Sequence, residues 1–351
     1  MKKTKNAPQV FVDANIIIRA GKPPGGAEWE RVGDLVNAGM ITVLTTDLTV
    51  TEVAKKHADN DYQVIKEIAR PHFRKLIDET VGVKIDEINK TELWDILISK
   101  YGAAVAAMFG NLDATHLAID DIKPSAVFNT YAEGTGLFSG ESKKDQFPDA
   151  FIFECLKQAA SKDNQVIIVS DDGDFQKAAE GEQYIQIIKS LPELFKALGY
   201  EMEAPQVSQF LQDKSGDLAT LVGEEIKAWG LVGDVEDSEI FDVQVLGLEI
   251  GKITSFRSVE EGDDILVVGT VRVSANVEYS HPDWDNASYD SEDKVLIPWR
   301  DVEGETEIEF DLDISIAISV DDEGTPEKIE TVSTRNADFQ YVELHPYESY
   351  K

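Results

Sequence analysis

Short apolar segments alternate with helical segments through the first 200 residues of this 351-residue chain, and this alternation restricts its fold more than any other feature. Residues 10–12, 41–44 and 165–169 are the clearest strand candidates, because they are short and apolar. We expect residues 16–18 to continue the first strand beyond Asp13. Strands that alternate with helices indicate a parallel sheet with helices on both faces. The sequence therefore predicts an α/β fold for its N-terminal part.

The pattern changes after residue 205. Residues 207–229 have the periodicity of an amphipathic helix, and strand patterns dominate from residue 240 onward. Residues 308–316 alternate apolar and mostly acidic side chains, which is typical of an antiparallel sheet with one face in water. We therefore expect an α/β domain over residues 1–204, a helical connector over 205–235 and an acidic, mainly antiparallel β-domain over 236–351.

The net charge of −34 is spread unevenly, at −7 for residues 1–200 and −27 for the remainder. Affinity for nucleic acid depends largely on Lys and Arg, so the C-terminal part is a poor candidate for that partner. The single cysteine, Cys155, excludes an intrachain disulfide and fits a reducing cytoplasm. No apolar run reaches the roughly 18 residues of a membrane span. We expect a cytoplasmic protein without a membrane-spanning segment.

Acidic residues occur where a parallel sheet forms its crevice, at the carboxyl ends of strands and the amino ends of the following helices. Asp13 lies at the first strand, Glu52 is predicted to open a helix after the second, and Asp149 lies in the first turn of a later helix. The apolar strand at residues 165–169 is followed by three more acids, Asp171, Asp172 and Asp174.

Each of these positions has an ordinary structural explanation. Glu52 with Thr49 fits a capping box, and Asp149 after Pro148 fits the first turn of a helix, where the dipole favours a negative charge. The acids after residue 170 fit a turn and a helix cap. Asp13 is harder to explain, because a carboxylate beside a buried strand is destabilising unless it has a partner. No single-residue explanation accounts for all of these acids at one edge of the sheet.

A cluster of carboxylates is self-repulsive, which raises their pKa values, and a divalent cation removes that repulsion. The candidate ligands are all oxygen atoms. This donor set favours Mg²⁺ or Mn²⁺ over Zn²⁺, which prefers nitrogen and sulfur ligands. His57, His72 and His116 lack metal-ligand spacing and are predicted to be surface or core residues.

The segments FVDANIII and SDDGDF, together with Glu52 and Asp149, resemble in order and placement the acidic motifs of PIN-domain nucleases. The resemblance covers residues 8–200 and implies a PIN-like three-layer α/β/α sandwich. It implies that the metal ligands are Asp13, Glu52, Asp149 and Asp172. It also implies that Asp174 is a supporting acid and that two polar residues, Asn15 and Ser170, hold the cluster. Asp171 replaces Asp172 as ligand if the turn is shifted by one residue.

The resemblance implies a metal-dependent endoribonuclease, in a family that includes toxins and host-defence effectors. A structure-specific DNA nuclease is an alternative, and so is a degenerate PIN scaffold that acts as a binding or regulatory module. The intact set of acids argues against degeneracy. The acidic β-domain is not part of the PIN fold, and we expect it to mediate self-association or to bind a protein partner.

Basic residues near Glu52 and Asp149 are candidates for contacts with the RNA backbone. They are Lys55, Lys56, Arg70, Arg74, Lys143 and Lys144. The alternative is a solvated helix face on which these side chains form ion pairs with Glu67, Asp78 and Glu79. The helical insert between Glu52 and Asp149 is longer than in small toxin-type members of the family, so the path of the substrate is left open.

Overall fold

The computed structural model describes residues 7–23, 25–139, 145–202, 204–259, 264–290, 295–335 and 340–344. The chain divides into two compact units, Met1–Gly199 and Tyr200–Lys351. In the described residues no helix combines the length and the apolar character needed to cross a membrane.

The first unit is built on a five-stranded, fully parallel sheet with the order β3-β2-β1-β4-β5. Its strands are β1 Gln9–Val12, β2 Thr42–Thr46, β3 Thr115–Leu117, β4 Val166–Val169 and β5 Ile185–Ile188. The strand order reverses at β1, since β2 pairs with one of its edges and β4 with the other. The crevice of an open α/β sheet lies at the carboxyl ends of the strands at such a reversal. In this unit that position lies between the ends of β1 and β4.

Helices cover both faces of this sheet, which gives the three-layer α/β/α arrangement. The helices are α1 Ala14–Arg19, α2 Ala27–Asn37, α3 Asp47–Ile65, α4 Pro71–Val81, α5 Lys90–Gly110, α6 Pro124–Glu133, α7 Phe147–Ala159, α8 Gly173–Ala178 and α9 Leu191–Ala197. Successive residues of a strand point to opposite faces, yet Val10 and Phe11 of β1 are both fully buried. Phe11 packs with Phe153 and Leu156 of α7 in one core cluster.

The expected continuation of the first strand through residues 16–18 is wrong. These isoleucines lie in α1 and are buried there. Their apolar run suits a strand or a buried helix equally well, so periodicity alone does not separate the two. The chain turns at Asp13, which is the N-cap residue of α1 and has an extended backbone.

The long insert between Glu52 and Asp149 obtains its helix boundaries from local sequence signals. Pro71 occupies the first turn of α4, and Gly82, with φ of +73°, ends it in the left-handed conformation. Asn89 and Glu92 form a capping box at the start of α5. Helix α5 then packs along α3, so the insert extends the helical layer beside the sheet.

The second unit contains a five-stranded antiparallel sheet with the order β13-β12-β9-β8-β6. Its strands are β6 Glu201–Met202, β8 Glu239–Phe256, β9 Ile265–Pro282, β12 Asp301–Val320 and β13 Pro326–Thr334. Four short strands form two separate pairs, β7 Leu231–Gly233 with β14 Gln340–Val342 and β10 Ser288–Asp290 with β11 Val295–Ile297. The mainly antiparallel fold expected for this part is confirmed.

Two helices, α10 Pro205–Asp213 and α11 Ser215–Trp229, lie in the segment assigned from sequence to a connector. Their apolar side chains, among them Val207, Leu218 and Val222, belong to the same buried core as the sheet residues Val273 and Leu312. The opposite face of β12 is acidic. Every second residue from 301 to 313 is an exposed Asp or Glu, which we call the acidic face.

Candidate active site

Asp13 is a buried carboxylate at the carboxyl end of β1. Its side chain is 5% exposed, and its backbone N–H donates to the Val169 carbonyl at the end of β4. The Ser170 hydroxyl donates to Asp13 Oδ2 at 2.7 Å. Burial raises the pKa of Asp13, and the charge of Asp172 adds to this effect, whereas the Ser170 hydrogen bond and the Arg19 charge oppose it. These hydrogen bonds thus hold the carboxylate in a place where its negative charge is unfavourable.

The turn after β4 fixes Asp172 next to Asp13. The Asp172 N–H donates to Ser170 Oγ at 3.1 Å, so one serine positions both acids. Asp172 is also the N-cap residue of α8, where its Oδ1 accepts from the Asp174 N–H at 2.8 Å. The predicted turn and cap are therefore present, and they orient Asp172 while leaving its charge close enough to raise the pKa of Asp13.

Glu52 does not open a helix, and the capping box with Thr49 is wrong. Helix α3 begins at Asp47, and Thr46 is its N-cap residue, with Oγ1 accepting from the Thr49 N–H. Glu52 therefore lies in the second turn. Partial burial and the charge of Asp13 raise its pKa, although the side chain keeps more than a third of its surface exposed. Its electrostatic partner is an acid on another element of the fold.

Asp149 lies in the first turn of α7, as the sequence predicts. A helix dipole there would lower the pKa of a carboxyl group. The structure has the opposite result, because burial and the charges of Asp13, Glu52, Asp172 and Asp174 raise the pKa of Asp149 to about 7. Acids from the end of β1, from α3 and from the turn that opens α8 therefore converge around Asp149.

A family model described as a PIN domain matches residues 10–175, from β1 to the first half of α8. Over residues 10–175 the chain is similar to PIN domains. The match contains every acid described above, and it leaves the second unit unassigned. PIN domains are generally metal-dependent nucleases that act on nucleic acid. Comparisons of the chain with curated proteins and with solved structures gave no match.

The donor set of this PIN-like region suits the divalent ions, Mg²⁺ or Mn²⁺, that PIN domains typically use. The converging side chains are all carboxylates, and their raised pKa values show that a positive charge would be favourable there. Among the described residues, no three His, Cys, Asp or Glu side chains already have the spacing of a formed metal site. Mg²⁺ is often held by one or two carboxylates with water completing its shell. The open spacing is compatible with that mode of binding.

The remaining predicted residues lie around this cluster in different ways. Asp171 turns outward and pairs with Arg19 at 3.0 Å, both side chains being about half exposed. Asp174 forms an ion pair with Lys177, with 2.8 Å between Oδ1 and Nζ. Asn15 is exposed on α1, and the described residues provide its side chain with no hydrogen bond to an acid. Ser170 thus contacts two acids of the cluster directly, whereas the role predicted for Asn15 stays a prediction.

The basic residues predicted to contact substrate have different surroundings. Lys55 is exposed three residues after Glu52, and Lys56 beside it is half-buried. Arg70 pairs with Glu67 at 2.9 Å, which is the alternative of a solvated helix face. Arg74 donates to the carbonyls of Ile68 and Ile88, so its guanidinium joins the 3-10 helix Lys66–Ala69 to the segment before α5. Lys143 and Lys144 lie outside the described residues.

Sequence reasoning missed Arg19, whose charge opposes the rise in the Asp13 pKa and pairs with Asp171. Arg19 lies in the last turn of α1, so only the knowledge that residues 14–19 are helical could have placed it near the cluster. Its partner is 152 residues away in the chain, and no local spacing signals such a pair.

Proposed function

We propose that this chain is a metal-dependent endoribonuclease whose divalent cation is held by Asp13, Glu52, Asp149 and Asp172. The observation that carries the proposal is the rise in the Asp149 pKa to about 7, caused in part by acids on β1, α3 and the turn after β4. A bound Mg²⁺ or Mn²⁺ lowers the pKa of a bound water and stabilises the charge that develops on the phosphate. Without a cation, a cluster of this kind only destabilises the fold.

The protein groups have distinct parts in this proposal. Ser170 fixes Asp13 and Asp172 relative to each other through two hydrogen bonds. Asp174 orients Asp172 through its backbone N–H and adds to the local negative charge. Between the two neighbouring acids of the turn, we assign the ligand role to Asp172, because Asp171 is engaged by Arg19.

RNA is the proposed substrate on the strength of the family resemblance, and Lys55 is the basic residue best placed to meet its backbone. It is exposed on α3, and residues three apart on a helix share a face, so it lies beside Glu52. Cleavage of structured DNA instead of RNA is an outcome that the experiment below separates.

The open spacing of the acids favours a second candidate, a degenerate PIN scaffold that only binds nucleic acid or a partner protein. A divalent-ion titration followed by calorimetry separates the two. Saturable binding of Mn²⁺ that disappears in Asp149→Asn supports the nuclease. No heat of binding at millimolar ion supports the degenerate scaffold.

The test of the nuclease proposal is incubation of the full chain with total RNA, or with duplex and single-stranded DNA, in Mn²⁺, followed by mapping of the product ends. We expect discrete RNA cuts that require the ion and disappear in EDTA, and that persist with a zinc-selective chelator. Cleavage in EDTA would contradict the mechanism, and cleavage of DNA alone would change the substrate.

We also propose a cytoplasmic toxin or host-defence role, from the range of functions in the family. Induced expression in a bacterial host tests it. The wild-type chain should arrest growth and Asp13→Asn should not, at equal protein levels. Equal growth of both cultures would contradict a toxic role.

A further inference from the structure

Arg19 is a half-exposed cation at the edge of the carboxylate cluster. It lies in the last turn of α1, the helix that Asp13 caps. Six residues of helix separate the two positions, which is a rise of about 9 Å. The side chain reaches the turn after β4, where Nη1 lies 3.0 Å from Asp171 Oδ2. Asp172, a proposed metal ligand, is the next residue, so the guanidinium lies beside the proposed metal site.

The charge of Arg19 acts inside the cluster without occupying it. It lowers the pKa of Asp13, against the effects of burial and of Asp172. Among the described residues, Arg19 donates a hydrogen bond to Asp171 and to none of the four proposed ligands. The acids that would hold the metal are therefore left free of this guanidinium, while an approaching phosphate meets a positive charge next to them.

The ion pair between Arg19 and Asp171 is of a kind that can exchange partners. The two side chains are 49% and 51% exposed, and exposed ion pairs contribute little to stability. A guanidinium can donate two parallel hydrogen bonds to the oxygens of one phosphate group. A phosphate can therefore replace Asp171 as the partner of Arg19 at little cost to the fold.

A purely structural role for Arg19 is the alternative. A cation in the last turn of a helix is favoured by the helix dipole, and the pair with Asp171 joins α1 to a turn 152 residues away in the chain. This role requires the ion pair to stay closed, whereas a role in binding phosphate requires it to open. The two roles therefore predict opposite effects of removing the Asp171 charge.

We propose that Arg19 leaves Asp171 to bind a phosphate of the RNA strand, next to the phosphate that is cut. Arg19 holds the strand and does not act on the reacting group, because it contacts none of the proposed metal ligands. Together with Lys55, it would offset the repulsion between the carboxylates and the RNA backbone. The choice of RNA as the ligand rests on the proposed function.

The test measures binding of a short, fluorescently labelled single-stranded RNA by anisotropy, between about 50 and 200 mM salt. All proteins are the full chain with Asp172→Asn, in Mn²⁺, so that the RNA stays intact during the measurement. Arg19→Gln removes the charge, Arg19→Lys keeps the charge without the planar fork, and Asp171→Asn removes the competing partner.

Lys157→Gln is the matched control. Lys157 also pairs with an acid, Glu182, and its side chain is 45% exposed. It lies in the last turn of α7, whereas Asp149 lies in the first turn of that helix. The control therefore removes one ion-paired charge from the same unit at a different place.

We expect Arg19→Gln to weaken RNA binding by about 3- to 10-fold at low salt. The slope of log affinity against log salt should fall by about 0.7, the value for one phosphate contact on a single strand. Arg19→Lys should restore the slope and part of the affinity, because Lys binds phosphate as a point charge. Lys157→Gln should keep the slope of the parent protein.

Asp171→Asn decides between the two roles of Arg19. If Arg19 exchanges partners, this variant binds RNA as tightly as the parent protein or up to about threefold more tightly. Weaker binding by Asp171→Asn, to the extent seen in Arg19→Gln, would show that the closed ion pair matters and would overturn the proposal. An unchanged salt slope in Arg19→Gln would overturn it as well.

Cleavage kinetics with Asp172 intact separate this proposal from the nuclease proposal. Arg19→Gln should raise KM for RNA and leave kcat within about threefold, since it removes binding that substrate and transition state share. A fall in kcat alone would contradict the placement of Arg19 beside the cut phosphate. The expected changes in RNA binding without any cleavage would refute the nuclease and leave the Arg19 contact intact. Metal-dependent cleavage with unchanged KM and salt slope in Arg19→Gln would refute the Arg19 contact alone.

Discussion

Among single residues, Asp149 shows the electrostatics of the site, because its surroundings make its negative charge unfavourable. Its pKa of about 7 in the folded chain lies above the roughly 3.9 of an unfolded aspartate. The folded state therefore binds this proton more tightly. The stability that Asp149 contributes is present at low pH and is lost as the pH rises through about 7.

We therefore predict that Asp149→Asn raises the melting temperature in metal-free buffer at pH 8 by a few degrees, since about 1 kcal/mol corresponds to roughly 2–4 °C at this size. The gain should shrink below pH 7, where the wild-type carboxyl is already protonated. Thermal unfolding in EDTA across this pH range is the measurement, with the exposed Asp163→Asn as control. A lower melting temperature for the variant at pH 8 would show that Asp149 is not under repulsion.

His57 is a second buried titratable group, and it behaves in the opposite way. Its ring is 1% exposed, stacks on Tyr101, and has no hydrogen bond at either nitrogen among the described residues. Burial, with the charge of Lys22, lowers its pKa to about 4 from the usual 6.5. A histidine that is neutral when folded contributes stability above pH 6.5, and that stability is lost as the pH falls toward 4.

Replacement of His57 by Phe keeps a stacked ring and removes the titration. Between pH 7.5 and 5 we predict that the wild type loses about 2 kcal/mol more unfolding free energy than His57→Phe does. Urea unfolding at the two pH values measures the difference. An equal loss of unfolding free energy in both proteins would contradict this prediction and would mean that water or a partner reaches the ring.

Among the helices, α3 contains one residue that caps it and another that is proposed to bind the metal. Thr46 caps the helix, and Glu52 does not. We predict that Thr46→Ala loses about 1–2 kcal/mol of stability. Glu52→Gln should change stability in metal-free buffer by less than about 0.5 kcal/mol but abolish RNA cleavage. Stability comes from denaturant unfolding and activity from the Mn²⁺-dependent assay. A Glu52→Gln variant with full activity would remove Glu52 from the site.

The elements also show how far the sequence alone could go. The parallel sheet, the first-turn position of Asp149 and the acidic turn after β4 follow from local patterns, since apolar strands and cap residues are local signals. Strand β3 does not, because Thr115 and His116 are exposed and the strand is short. Arg74 was a candidate for RNA contact, yet it binds the carbonyls of Ile68 and Ile88. Contacts between distant residues decide such cases, and periodicity carries no information about them.

For the molecule as a whole, the similarity to PIN domains does not explain the strong negative charge of the second unit. The acidic face of β12 has carboxylates spaced by about 6.8 Å, twice the rise per residue of a strand. Some are engaged, as Asp311 is by Arg272, which pairs with it from β9. Solubility, self-association and the binding of a basic partner are each compatible with such a surface.

A tethered acidic surface can also compete with RNA, because tethering gives local concentrations of about millimolar. We predict that neutralising the acidic face in the full chain, by Glu303→Gln, Glu307→Gln and Glu309→Gln together, speeds RNA cleavage at low salt. The gain should narrow as salt screens the charges. Residues 1–204 alone should likewise cleave RNA faster than the full chain at low salt. Equal or slower cleavage by the variant at every salt concentration would exclude competition between the acidic face and RNA.

We propose that the carboxylates at the ends of β1 and β4, with Glu52 and Asp149, form one metal-dependent nuclease site. The most direct measurement compares RNA cleavage in Mn²⁺ by Asp172→Asn and Asp171→Asn, which make the same change at neighbouring residues of one turn. Asp172→Asn should lose activity by at least about 100-fold, the scale for removal of a group that acts on the reacting charge. Asp171→Asn should keep activity within about threefold, because its loss removes only an exposed ion pair with Arg19. Full activity in Asp172→Asn, or loss confined to Asp171→Asn, would contradict the claim.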